Sequence, residues 1–344
     1  MIKISWILKK NSYNVASERI RYFNLLPYFK NYNSFDIKTY SKINIFQKDD
    51  ILVFLKKYDK GALKIAKKNQ SSIIILDLCD FDFYNNLNNT IKIKEFLKYT
   101  SYVTCPTEKL KNTIYKQLNF PLNRIHVIHD SFDYFSNKIF YKEKIKDLLN
   151  FRLEIKSSLN FINKYRGKTN LLWFGNSKGS YAKSGIYSLI ECFNQLNEFN
   201  KLSQITLTVI SDKIDIDLFN EKLNFPINYI QWNPMSFYKI IGNFDIAFLP
   251  IVKNPFNNVK SHNRITTALN NNLHVITNSI ESYKEFKDYL ILDDYHNSFK
   301  SYFSKNKNYK TMIKYDKLIF SKYNKENIAE SWINIFHKIL HNEQ

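Results

Sequence analysis

Two short segments combine small residues with cations in a way that suits anion binding. Gly175-Asn176-Ser177-Lys178-Gly179-Ser180 follows an apolar run, and Lys183-Ser184-Gly185 comes as a helical pattern opens. Small side chains let backbone N–H groups approach a phosphate, and a helix N-terminus adds favourable partial charge. The glycine spacing is neither the Walker nor the dinucleotide fingerprint, so a plain tight turn is the alternative. Further on, Lys260-Ser261-His262-Asn263-Arg264 opens a second helical pattern that continues through Thr267. A lysine, a hydroxyl, an amide and an arginine gathered at a helix start suit a diphosphate or an acidic sugar. The alternative is a solvated basic turn.

Ser17, Arg19 and Arg21 stand at another helix start and suit an acidic or phosphate-linked ligand, against the alternative of surface charge. Carboxylates gather in Leu76-Asp77-Leu78-Cys79-Asp80-Phe81-Asp82, and His129-Asp130 ends another apolar run. An Asp, Glu or His at a strand end can serve as general base, which makes Asp80 and His129 the catalytic candidates. Such residues are also ordinary caps and turn formers. Asp80 and Asp82 can also be read as a D-x-D metal pair. Cys79, Cys105 and Cys192 lack any paired spacing and read as buried thiols rather than a disulfide framework or a zinc site.

The elements that must position these residues repeat one order: an apolar run, a polar loop, a helical stretch, then another apolar run. That alternation predicts parallel strands joined by crossover helices. Strands are expected at Ile2 to Leu8, Asp36 to Tyr40, Ile51 to Leu55, Ile73 to Leu78, Tyr102 to Thr104 and Ile125 to Ile128. A second cycle is expected at Asn170 to Phe174, Ile205 to Ile210, Ile227 to Ile230, Asp245 to Leu249, Leu273 to Thr277 and Leu290 to Leu292. Helices are expected over Ser17 to Lys30, over Thr107 to Leu118 with a threonine cap, and over Lys325 to Leu340.

With 344 residues the chain exceeds what one hydrophobic core usually supports. Two cycles of one topology therefore predict an α/β chain of two doubly wound, Rossmann-like domains facing a cleft. The expected boundaries are 1–135 for the first domain and 136–168 for a connector with a helical patch around Tyr141 to Leu159. Residues 169–325 form the second domain, and 326–344 a C-terminal helix crossing back over both. Ligands of such sheets bind beyond the carboxyl ends of the strands, where the segments above fall.

Composition narrows the function classes. No stretch approaches the roughly 18 apolar residues of a spanning helix, and the N-terminus enters a strand rather than a signal peptide. A cytoplasmic protein is expected. The formal net charge of +20 suits phosphates and anionic lipid headgroups. Without zinc-finger spacing or an RNP-type aromatic motif, no nucleic acid partner is expected.

The run Phe244-Asp245-Ile246-Ala247-Phe248-Leu249-Pro250, the Lys260-Ser261-x-Asn263-Arg264 helix start and the following Leu273-His274-Val275-Ile276-Thr277 resemble the donor-binding half of GT-B glycosyltransferases. The likeness is to the GT4-like (group 1) proteins of bacterial surface polysaccharide synthesis. Val127-Ile128-His129-Asp130 falls where that family ends its first domain. The resemblance implies metal-independent transfer of a sugar from a nucleotide-sugar donor to a glycan or lipid-linked acceptor, with no cofactor beyond that co-substrate. It implies donor contacts from Gly175, Asn176, Ser177, Lys183, Lys260, Ser261, Asn263, Arg264 and Thr267, with Lys183 matching a phosphate-binding lysine. Acceptor contacts would come from Ser17, Arg19 and Arg21, and anionic inner-leaflet lipid would hold the protein at the membrane.

The sequence also departs from the family. The arginine that accompanies the lysine falls on Asn176, the two glutamates of the E-x7-E motif fall on Val259 and Thr267, and the glycine-rich loop after the first strand is replaced by Lys9-Lys10-Asn11-Ser12. A catalytically silent sugar-nucleotide-binding or scaffold module, and a sugar-nucleotide epimerase, are the alternatives.

Overall fold

The structure is a computed structural model that describes residues 1–40, 49–133, 145–293 and 317–342. It contains two six-stranded sheets, every recorded pairing parallel. The first joins β1 (Ile2–Ile7), β2 (Phe35–Tyr40), β3 (Ile51–Leu55), β4 (Ile73–Asp77), β5 (Tyr102–Cys105) and β6 (Ile125–Val127) in the order β2-β1-β3-β4-β5-β6. The second joins β7 (Thr169–Phe174), β8 (Ile205–Ser211), β9 (Ile227–Gln231), β10 (Ile246–Phe248), β11 (His274–Thr277) and β12 (Leu290–Leu292) in the order β12-β11-β10-β7-β8-β9. Strands buried on both faces need apolar side chains at every position rather than at alternate ones, which is why the runs are continuous. β3 and β4 are buried throughout.

Strand order reverses between β1 and β3 in one sheet and between β7 and β10 in the other. These are the switch points outside which doubly wound sheets hold ligands. The chain divides into two compact units. One is Met1–Phe132 with Val259–Ser261 and Ser321–Gln344; the other is Asp133–Asn258 with His262–Phe320.

In the first unit α1 (Ala16–Glu18) and α2 (Leu26–Phe29) flank a π-helix at Arg19–Phe23. The single helix expected over Ser17 to Lys30 is thus broken. The Asn24 N–H bonds back to the Arg19 carbonyl at 2.8 Å, widening the coil, and Pro27 in the first turn of α2 has no N–H to continue a ladder. α3 (Lys60–Lys68) starts at Asp59, whose carboxylate accepts the Ala62 N–H. α4 (Leu87–Leu97) starts at Asn86, and α5 (Glu108–Leu118) at Thr107, whose hydroxyl accepts the Leu110 N–H. A helix at Lys325–Asn342 buries Ile328, Trp332, Phe336 and Ile339 in a core that includes Trp6, Tyr22 and Phe29; the Trp6 and Trp332 rings meet edge to face at 4.7 Å.

In the second unit α6 (Ile145–Lys164) is joined to α10 (Pro234–Ile240) by a 2.5 Å bond from Ser236 Oγ to Glu154. α7 (Ile186–Ile190), α8 (Phe193–Leu202), α9 (Ile216–Lys222) and α11 (Asn263–Asn270) are further α-helices of its strand crossovers, and a 3-10 helix at Glu281–Tyr289 leads from β11 to β12. Residues 136–144 of the expected connector, including Tyr141, lie outside the described residues. None of the three cysteines is in a disulfide; Cys105 and Cys192 are buried and Cys79 is half-buried. Among the described residues, no helix is long and apolar enough to cross a membrane.

Candidate functional site

The loop after β7 and the start of α11 meet at the carboxyl end of β7, beside the switch point of the second sheet. Arg264 lies on the first turn of α11, half-buried. Its Nη1 donates to the Phe174 carbonyl at 3.3 Å, and its guanidinium is also hydrogen-bonded to the buried Tyr283 hydroxyl. Gly175 lets it approach: a Cβ there would lie 2.9 Å from the Trp173 ring and 3.2 Å from Arg264 Nη1. Residue 175 must therefore stay small for the guanidinium to cap the strand. Asn263, first in α11, stands beside it.

The rest of the β7 loop is tied to the loop after β10. Asn254 and Asn257 donate through Nδ2 to the Ala182 carbonyl at 2.7 and 3.3 Å, and the Tyr181 and Phe256 rings touch at 5.4 Å. The Ser177 N–H donates to Asp212 at 2.7 Å, and Asn176 accepts the Ile186 N–H at 3.0 Å. Lys183 follows Ala182 in a left-handed conformation, φ +44°. Its ammonium is exposed and pairs with Glu191 at 3.0 Å. An exposed pair of this kind contributes about 0–1 kcal/mol, little enough for a phosphate to draw the lysine away.

The structure separates the second cationic segment. Lys260 and Ser261 belong to the first unit, while Asn263, Arg264 and Thr267 belong to the other. Ser261 Oγ donates to Asp130 Oδ2 at 2.5 Å, and Lys260 interacts electrostatically with Asp80. Thr267, placed among the donor contacts by the resemblance, is buried with its hydroxyl accepting the Asp133 N–H at 3.2 Å. That removes it from a ligand-facing role. Val259, at the other glutamate position, is buried too.

The expected acceptor arginines also need correction. Arg21 is 2% exposed. Its Nε and Nη2 donate to the two Asp77 oxygens at 2.7 and 2.9 Å, and Nη1 donates to the Ile128 carbonyl at 2.7 Å and to Asp130 at 3.0 Å. Trp332 lies 5.4 Å under the guanidinium. With its charge met by two buried carboxylates, Arg21 holds the first unit together and offers nothing to an acceptor. Arg19 is also buried and donates to the Tyr13 carbonyl at 2.9 Å. The turn after β1 takes an anion from its own chain, since the buried Glu18 accepts the Lys10 and Ser12 N–H groups at 2.7 and 2.8 Å. Ser17 is half-buried in α1.

At the ends of β3 and β4 stands a cluster only half foreseen. Lys56 Nζ lies 2.6 Å from Asp80 and 3.1 Å from Asp82, and the Tyr58 hydroxyl donates to Asp82 at 3.2 Å. Lys56 adopts a left-handed backbone, φ +48°, at the last turn out of β3. The cation between the two carboxylates is thus this ammonium. Among the described residues no three His, Cys, Asp or Glu side chains converge as a metal site. Lys56 was legible in principle, as a lysine ending an apolar run at a switch point. His129 presents Nδ1 to the Pro106 carbonyl at 3.0 Å and its ring to Tyr323.

Burial alone would raise the Asp80 carboxyl, but Lys56 and Lys260 outweigh it and hold the group below the usual carboxylate range. A depressed folded-state pKa stabilises above the unfolded value, about 3.9 for aspartate, and loses that contribution as pH falls through the folded value. Asp80→Asn is therefore expected to lower the melting temperature at neutral pH, by a margin that shrinks in acid. Melting curves recorded from neutral pH down to the acid limb check this; a constant margin would contradict it.

No protein-family model matches the chain, and no curated protein matches it. Solved structures do. Anabaena Alr3699/HepE in complex with UDP and glucose superposes with a TM-score of 0.66 at 12% identity, covering 98% of this chain and 100% of that one. WaaG, a glycosyltransferase involved in lipopolysaccharide biosynthesis, gives 0.60 at 11% identity over 96% and 99% of the two chains. The UDP-GlcNAc 2-epimerase of Methanocaldococcus jannaschii gives 0.54 at 14% identity over 98% and 100%. Two doubly wound, Rossmann-like domains with these neighbours make the fold GT-B.

Proposed function

We propose that the chain is a glycosyltransferase of the GT4-like kind, using a nucleotide sugar bound by the second unit to glycosylate a glycan or lipid-linked acceptor in bacterial surface polysaccharide synthesis. The observation that carries the reading is Arg264 capping the carboxyl end of β7 against Gly175, at the head of the loop that bears Lys183; on this reading a diphosphate there takes the guanidinium and draws Lys183 from its exposed pair with Glu191. Supporting it are solved structures of the same fold that hold UDP or transfer sugars. In the reaction an acceptor oxygen bonds to the anomeric carbon as the bond from that carbon to the phosphate oxygen breaks. The electron pair leaves on the diphosphate, whose growing charge Arg264 and Lys183 offset. The acceptor proton passes to Asp80 or His129 if configuration inverts, or to the leaving phosphate if it is retained. Transfer on this reading is metal-independent and takes place at the cytoplasmic membrane face, where anionic lipid holds the protein.

The missing glutamates at positions 259 and 267 favour a second reading, a module that binds a nucleotide sugar without turning it over. Turnover separates the two. Incubated with a panel of nucleotide sugars and acceptor glycans, the parent is expected to transfer one sugar, and Arg264→Ala to lower kcat/KM about 100-fold, the scale for removing one donor that stabilises developing charge. Tight binding with no product supports the module. Conversion of the donor without acceptor supports an epimerase.

A further inference from the structure

α4 presents an outward stripe that nothing in the site above uses. Its inward side is Ile93, Phe96 and Leu97, all buried, and Phe96 meets Phe54 of β3 at 4.9 Å. Opposite, at helical spacing, stand Leu87, Ile91, Lys94 and Lys98, about 16 Å from end to end at 1.5 Å per residue. Leu87 is 75% exposed and Ile91 58%, high for two large aliphatic side chains one turn apart. The capping Asn86, which accepts the Asn89 N–H at 3.0 Å, fixes the turn that carries Leu87.

Charge around the stripe is predominantly positive. β3, β4, β5 and β6 are successive neighbours in the sheet, so right-handed crossovers put α3, α4 and α5 on the same face. Every charged side chain on α3 and α4 is an exposed lysine except Glu95, which pairs with Lys67 at 3.7 Å. Two aliphatic side chains among lysines fit a surface that offers anionic headgroups above hydrocarbon: the aliphatic groups enter the acyl boundary and the lysines remain at the phosphates. Nucleic acid would use the lysines and leave Leu87 and Ile91 in water.

We propose that the outer face of α4, flanked by α3, is the surface by which this chain seats on an anionic lipid bilayer. It deepens the lipid partner of the proposed function and rests on that reading only there; its test reads lipid binding apart from nucleotide-sugar binding, so either can fail alone. The full chain is sedimented with vesicles of phosphatidylcholine, with and without phosphatidylglycerol, over a salt series. Binding is expected on the anionic vesicles only, weakening as salt rises. Lys94→Gln and Lys98→Gln should each weaken it about fivefold. Leu87→Ser with Ile91→Ser should weaken it at least about tenfold, because two inserted aliphatic groups are lost. These are surface positions, and circular dichroism and melting confirm that each variant is folded. Equal binding to neutral vesicles, no vesicle binding, parent-like binding by the Leu87/Ile91 variant, or binding to duplex DNA without binding to vesicles would each overturn the proposal.

Discussion

Gly185→Ala is expected to abolish nucleotide-sugar binding. Gly185 sits at φ +61° and ψ −132°, a conformation that L side chains avoid. A Cβ there would lie 2.4 Å from Asn176 Oδ1, 2.5 Å from the Asn176 carbonyl and 2.6 Å from the Lys178 carbonyl. The asparagine side chain can swing aside, but both backbone oxygens move only with the loop itself, and shifting the Asn176 carbonyl breaks the bond it accepts from the Ile186 N–H. Backbone strain alone costs on the order of 1–3 kcal/mol, and the displaced loop carries Ser177 and Lys183 out of register with Arg264. Donor affinity should fall at least about 100-fold by calorimetry. Gly242→Ala, where a Cβ meets nothing nearer than 4.0 Å, is the control and should leave affinity unchanged. Near-parental affinity in Gly185→Ala would show that the β7 loop takes no part in binding.

Arg21→Leu is expected to be the most destabilising single substitution in the first unit. It would leave Asp77 and Asp130 buried without their cation, and breaking a buried pair by removing one partner costs about 3–5 kcal/mol. Burial already pushes the Asp77 carboxyl up, with Arg21 and the Thr104 hydroxyl pulling it back. Without Arg21 the carboxyl rises further, so its folded-state pKa lies above the unfolded one and the protonated form is favoured. The deficit should therefore be largest at neutral pH and narrow as pH falls through the raised value. Denaturant unfolding across that range tests both claims; a loss below about 1 kcal/mol would mean that water reaches the network.

The strands were legible because burial on both faces writes itself into the sequence as unbroken apolar runs. Ile51 to Leu55 and Leu290 to Leu292 are matched to the residue, and the other ten within one residue at either end. Parallel topology and the position of loops after strand ends followed from the alternation, which is what pointed to Gly175 and Arg264. The fate of Arg21 was hidden, since its partners are 56 and 109 residues away and only the folded sheet brings them together. A basic residue near a helix start reads the same whether it faces solvent or a buried carboxylate. Nor could the segment 260–264 disclose that Ser261 bonds to Asp130 while Arg264, three residues on, caps β7. Lys56 was missed for a related reason: a lysine flanked by another lysine looks like surface charge until Asp80 and Asp82 close on it.

The most direct measurement is thermal unfolding of the full chain against UDP-, GDP-, CMP- and dTDP-sugars. A ligand bound only by the native state raises stability by about 2.7 kcal/mol at about 100 times its dissociation constant. At least one of these donors should raise the melting temperature of the parent, and the rise should vanish in Arg264→Ala, which removes the guanidinium from the end of β7. No response to any of them, or an undiminished response in Arg264→Ala, would contradict a nucleotide-sugar site at the switch point of the second sheet.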